Sequence, residues 1–168
     1  MTILGLKYCN RCAMPDTNEG MVFDENGICQ ACFSSEQKMH IDWNEREKEF
    51  RRTLEEFRSK DGSNYDCMIP ISGGKDSMFQ LHVLTKVYGM KPLAVTASHN
   101  WFSEAGKRNL NRCLEIFNVD HIMFTPARST VNKTARASLT SIGDACWHCH
   151  TGVSSFPLHI AAKFKVQL

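Results

Sequence analysis

The sequence predicts an α/β protein. A doubly wound parallel sheet occupies residues 63–168, preceded by a small cysteine-rich module (1–40) and a linker helix (41–62). Three observations predict this. From Tyr65 onward, short apolar runs alternate with amphipathic segments across brief connections, the pattern of strand–helix–strand units in a parallel sheet. At one junction, Ile69 to Ser77, an apolar run stops at a polar Gly-Gly turn and a helical pattern starts at Met78. The first 40 residues, in contrast, hold two C-x2-C pairs and too little apolar sequence for a core of their own.

Composition sets the outer limits. The chain has 168 residues, room for one ordinary domain and a small module. It is 42% hydrophobic and 23% charged, which suits a packed, soluble protein. A net charge of +2 provides no broad basic surface for nucleic acid. No apolar run reaches the length of a membrane span, and Ile3 to Leu6 is too short for a signal-peptide core. A cytoplasmic location without membrane attachment is the expectation. In such a reducing compartment, eight cysteines imply metal or redox chemistry more than disulfides.

Cys9-x2-Cys12 and Cys29-x2-Cys32, sixteen residues apart, have the spacing of a four-thiolate Zn²⁺ site in a zinc-ribbon-like module. Each pair makes a knuckle that aims two sulfurs at one ion. With all four positions taken by cysteine no coordination site stays open, so the reading is structural; rubredoxin-like iron is the alternative. Asn18-Glu19-Gly20 and Glu25-Asn26-Gly27 supply hairpin turns between the knuckles.

Asp42 reads as an N-cap with Glu45 at the capping-box position. Trp43, Phe50, Leu54 and Phe57 then form one apolar stripe, expected to lie on a neighbouring domain. The polar run Ser59 to Asn64 ends that helix. A first strand spans 66–71, and a helix is expected from Asp76 to Tyr88, closed by Gly89. Pro92 to Ala97 is a second buried strand. Ser103 caps a helix running to Phe117, His121 to Phe124 is a third strand, and 128–141 is a weaker helix. Its Arg128, Lys133 and Arg136 fit either a phosphorylated ligand or a solvated face. Cys67 and Cys113 fall within apolar periodicity and read as core. His82 reads as structural, and His99 follows the second strand, where such folds place ligand contacts.

The chemistry concentrates in the loop. Gly73 and Gly74 allow close approach to an anion and unusual dihedrals. Ser72 and Ser77 add hydroxyls, Lys75 a point charge for phosphate, and the following helix offers its N-terminal N–H groups. It is not a Walker A loop: Ile69 stands in place of the first glycine and Asp76 follows the lysine. A second cluster, Cys146-Trp147-His148-Cys149-His150, packs soft ligands into five residues. It reads as a redox pair, half a metal site, or incidental, on the same sheet edge as the loop.

Residue for residue, Ser72 to Ser77 resembles the Ser-Gly-Gly-Lys-Asp-Ser loop of the PP-loop ATP pyrophosphatases. Over most of its length the chain is similar to the N-acetyl sugar amidotransferases of bacterial surface-polysaccharide (lipopolysaccharide, O-antigen) synthesis. The carrying stretches are Tyr8 to Thr17, Phe23 to Cys32, Ile41-Asp42-Trp43, Tyr65-Asp66-Cys67, Asp120-His121-Ile122, Phe124-Thr125-Pro126 and Gly143 to His150. The resemblance implies an AMP-forming enzyme that takes a nucleotide-linked N-acetyl sugar and ammonia from a glutaminase partner. Ser72, Gly73, Gly74, Lys75, Asp76 and Ser77 would hold ATP. Lys75 and Asp76 would be catalytic, and Asp76 would orient Mg²⁺. Family members continue past residue 168, so the sheet is expected to be truncated, with Phe164 to Leu168 starting another strand. A tRNA sulfurtransferase of the same superfamily, with Cys146 and Cys149 as cluster ligands or sulfur carriers, is the alternative reading; an inactive nucleotide-binding fragment is a third.

Overall fold

The computed structural model describes residues 2–3 and 5–168, with side chains from Gly5 onward. The chain divides into two compact units, Met1–Phe50 and Arg51–Leu168.

In the first unit, β1 (Thr2–Ile3) and β2 (Leu6–Lys7) pair antiparallel. Isolated bridges Tyr8↔Pro15 and Phe23↔Cys29 close the turns at the first and second knuckle, and the N–H of Asn10 donates to the carbonyl of Gly27 at 2.9 Å to join them. A helix unforeseen from the sequence, α1 (Gln30–Gln37), starts directly after Cys29 and buries none of its residues. Helix α2 (Trp43–Phe57) begins in this unit and ends in the next. As its pattern predicts, Oδ1 of Asp42 accepts from the N–H groups of Asn44 and Glu45 at 3.0 and 3.1 Å. The apolar stripe needs correction. Leu54 is buried, but Trp43 and Phe50 are exposed, because among residues 5–50 only Cys9 and Cys29 are buried and no apolar core receives them.

The second unit is the α/β domain. Strands β3 (Cys67–Pro70), β4 (Pro92–Ala97) and β5 (Asp120–Phe124) form a parallel sheet in that order, with Ile69 beside Ala94 and Ala94 beside His121. Between them run α3 (Lys75–His82) and α4 (Glu104–Phe117), and after β5 come α5 (Arg128–Ile142) and α6 (Trp147–Phe164). Cys67, Ile69, Ile71 and Ala94 point to one face, where Leu81 of α3 and Leu110 and Cys113 of α4 complete the core. Helix α6 covers the other face, with Phe156 stacked on Phe124 and Gly152 near Ala97, and α5 packs on α6. Helices on both faces make the sheet doubly wound, as predicted. They also explain why β4, the central strand, is apolar nearly throughout.

Two expectations about helices change. The helix after the loop is regular only to His82; Val83–Val87 widens into a π-turn, with the N–H of Tyr88 on the carbonyl of Val83. Phe164, read as opening another strand, closes α6, and Lys165 takes the left-handed cap conformation. The chain then extends until the N–H of Met68 donates to the carbonyl of Leu168 at 2.8 Å. No helix among the described residues is long and apolar enough to cross a membrane.

Candidate nucleotide loop and metal centre

The four N-terminal cysteines converge. One ligand atom from each of Cys9, Cys12, Cys29 and Cys32 lies within 4.8 Å of the others. The Cys9–Cys32 and Cys12–Cys29 sulfurs are 4.0 and 3.7 Å apart. A tetrahedral ion with metal–sulfur bonds of ~2.3 Å requires sulfurs ~3.8 Å apart, so the residues fit one thiolate-bound ion. The backbone prepares the site. The N–H groups of Cys29 and Arg11 donate to the sulfur of Cys9 at 3.2 and 3.4 Å. Burial pushes that thiol up, but these donors and the N–H of Cys12 outweigh it and bring its pKa down to about 6. Cys32 moves the other way, to about 12, through hydrogen bonding to Cys12 and burial. Gly27 ties the knuckles: at φ +72° it leaves room for Asn10, whose amide a Cβ there would meet at 2.6 Å. Among the described residues no other cluster of three or more metal-ligating side chains meets the same criterion.

The loop after β3 is set by two constraints. Gly73 has φ +77°, and a Cβ there would sit 2.8 Å from the backbone nitrogen of Leu110. Glycine is therefore required both for the dihedral and for the close passage of α4. Gly74 has ordinary dihedrals and stands at the N-cap of α3 with no side chain to cap it. A Cβ there would meet only the hydroxyl of Ser72, at 3.4 Å, which leaves that side open. The first N–H groups of α3 thus face an open turn, the arrangement that receives an anion.

The side chains differ in their commitments. Lys75 and Asp76 pair with each other at 2.6 Å and stand 88% and 84% exposed. Such a pair is weak, so both groups remain available to a ligand. Ser77 is buried, its hydroxyl donating to the carbonyl of Gly74 and lying 3.4 Å from the N–H of Ser72. It holds the turn closed. Ser72 lines a 330 Å³ pocket with His99, Phe102, Val153 and Pro157, above the carboxyl ends of β3 and β4.

Cys146 is exposed and Cys149 half-buried, and Cys149 lines a separate 180 Å³ pocket with Ala97, His99 and His148. The cluster therefore lies on the loop's edge of the sheet, sharing His99 with the loop's pocket. Both ring nitrogens of His148 are buried without a hydrogen-bond partner, and its ring meets the edge of Trp101 at 5.4 Å. Burial and the neighbouring Cys146 push the thiol of Cys149 up. Cys67 and Cys113 are core residues, and burial raises both, Cys67 to about 12. His82 lies on the helix surface with its ring beside Phe117. The sequence did not single out Phe102, stacked on His99 at 4.7 Å, or Thr96, buried on the central strand. A buried polar residue in an otherwise apolar strand was the available signal for Thr96.

No family model matches the chain. An uncharacterised protein of Methanocaldococcus jannaschii is 24% identical over 113 residues, 67% of this chain and 40% of that protein. Among solved structures, the tRNA thiolase NcsA of Methanococcus maripaludis, determined with its 4Fe–4S cluster, aligns with a TM-score of 0.33 and 16% identity. That alignment covers 83% of this chain and 52% of the thiolase. The chain therefore spans about half or less of the length of these two proteins.

Proposed function

We propose that the domain binds ATP on the Ser72–Ser77 loop and transfers AMP to an acceptor oxygen, releasing pyrophosphate. The observation that carries this is the loop itself: an uncapped helix N-terminus, a left-handed Gly73 locked against α4, and an exposed Lys75 held only by a surface pair with Asp76, all at the carboxyl edge of a parallel sheet. Lys75 would draw charge from the departing phosphates, and Asp76 would orient Mg²⁺, which supplies charge neutralisation when bound. Cys9, Cys12, Cys29 and Cys32 would hold Zn²⁺ as a structural ion.

The acceptor we infer is the acetamido oxygen of a nucleotide-linked N-acetyl sugar, on the sequence resemblance described above. An amide oxygen is a poor leaving group. Its attack on the α-phosphorus expels pyrophosphate and makes an O-adenylyl imidate; ammonia from a glutaminase partner then adds to that carbon, and AMP leaves as the acetamidino group forms. A sugar labelled with ¹⁸O in its acetyl group tests this, because the label must appear in AMP. AMP without label, or ATP consumption indifferent to the sugar, sinks the reading.

A second reading, thiolation of tRNA, is favoured by one observation: Cys149 and the unpaired His148 share a pocket beside His99. It requires the Cys146/Cys149 thiols for turnover. Under the amidation reading, changing both to serine leaves ATP-dependent pyrophosphate release measurable. Loss of release, with sulfur delivered to tRNA by the unaltered chain, decides for thiolation.

A further inference from the structure

A third pocket, of 410 Å³, opens between α4 and β5 on the face of the sheet away from α6. Its lining includes Lys107, Asn111, His121, Arg128, Ser98 and Phe102. It is large enough for one phosphorylated monosaccharide, with apolar walls for a sugar ring and polar groups for its substituents.

The protonation of His121 follows from its neighbours. The hydroxyl of Thr96 lies 2.7 Å from the carbonyl of Ile71 and 2.8 Å from Nε2 of His121. A carbonyl can only accept, so the single hydroxyl proton goes to Ile71. Thr96 must then accept from His121, which fixes the proton on Nε2 and leaves Nδ1 with a free lone pair. Burial lowers the imidazole pKa, in keeping with the neutral ring. His121 lines the pocket. This lining residue thus carries a fixed acceptor, and it is joined through Thr96 to the residue that precedes Ser72.

The cations lie on the surrounding helices. Lys107 pairs with Glu104 at 2.9 Å, an exposed contact that an incoming anion can displace. Arg128 opens α5, whose first turn contains no acidic residue.

We propose that this pocket is the acceptor site, binding a sugar phosphate with its phosphate between Lys107 and Arg128 and a hydroxyl or amide N–H on Nδ1 of His121. That the bound sugar is the AMP acceptor rests on the adenylyl-transfer reading; its binding here does not.

The test is ¹⁵N nuclear magnetic resonance of the whole chain, labelled at histidine and backbone, with N-acetylglucosamine 1-phosphate as the probe. The free protein should show His121 as the Nε2–H tautomer. The probe should shift Nδ1 of His121 and the amide of Arg128, and N-acetylglucosamine without phosphate should bind at least tenfold more weakly. His121→Leu removes both the donor to Thr96 and the Nδ1 acceptor, and should weaken the probe at least tenfold. If that variant fails to fold, Lys107→Ala with Arg128→Ala, both at the surface, decides by the same tenfold criterion. An Nδ1–H tautomer, no shift at these residues, or unchanged affinity in the double variant overturns the inference. Wild-type protein that binds the probe here but never binds ATP overturns the nucleotide reading and leaves this site standing.

Discussion

The two units keep order by different means. In residues 5–50, the only buried side chains are Cys9 and Cys29, two of the four thiols that converge on one point. Residues 51–168 bury Leu54, Ile69, Leu81, Leu93, Val95 and Leu110 around a three-stranded sheet. The first unit gathers its few buried groups around thiols that could hold one ion, and the second holds itself by apolar burial. The candidate nucleotide loop lies in the second unit, on a turn locked between β3 and α4. A rigid scaffold with an open helix end suits a site that must position phosphates accurately.

Metal removal should separate the units most sharply. Strong chelation, or Cys9→Ser with Cys29→Ser, should abolish order in the first unit and leave slow amide exchange in β3, β4 and β5 unchanged. Exchange measured by mass spectrometry checks this; protection persisting around the knuckles after the metal has gone would break the comparison. The converse is Leu81→Ala, which opens a cavity at a fully buried position. It should cost the sheet unit about 2–5 kcal/mol in denaturant unfolding, with bound metal per chain unchanged.

Much of this was legible in the sequence because its signals were local. Two C-x2-C pairs, an apolar run ending in Gly-Gly, and Ser103 three residues ahead of Gly106, whose N–H its hydroxyl caps at 3.0 Å, each contain their own instruction. What was not legible depends on tertiary contact. Helix α6 carries Gly152, Ser154, Ser155 and Pro157, residues that weaken a helical signal. Packing on β3 and β4 overrides them, and Pro157 is buried there. The stripe on α2 misled because periodicity shows a common face but not whether a core lies beneath each residue. The chain from Ile71 through Thr96 to His121 joins three strands and has no signature in any one segment.

Smaller effects should fall within the sheet unit. Gly73→Ala should cost roughly 1–3 kcal/mol through its left-handed backbone, more if α4 cannot yield, and should weaken ATP more than it lowers metal content. Calorimetric titration with ATP beside unfolding curves separates the two effects. The mildest is a pH dependence. Burial depresses the folded-state pKa of His121 below its ordinary value of about 6.5. The unfolded chain therefore takes up the proton first as pH falls, and stability present above about pH 6.5 declines below it. His121→Gln should flatten that decline; an identical pH profile in the variant would assign it to other groups.

The most direct test of the account is where ATP lands. With Mg²⁺ and ATP added to the ¹⁵N-labelled chain, the amides of Gly73, Gly74, Lys75, Asp76 and Ser77 should shift together and saturably. Lys75→Ala should weaken that response at least tenfold while leaving the rest of the spectrum in place. ATP that shifts none of these five amides, or binds equally well without Lys75, would contradict the assignment of this loop as the nucleotide site.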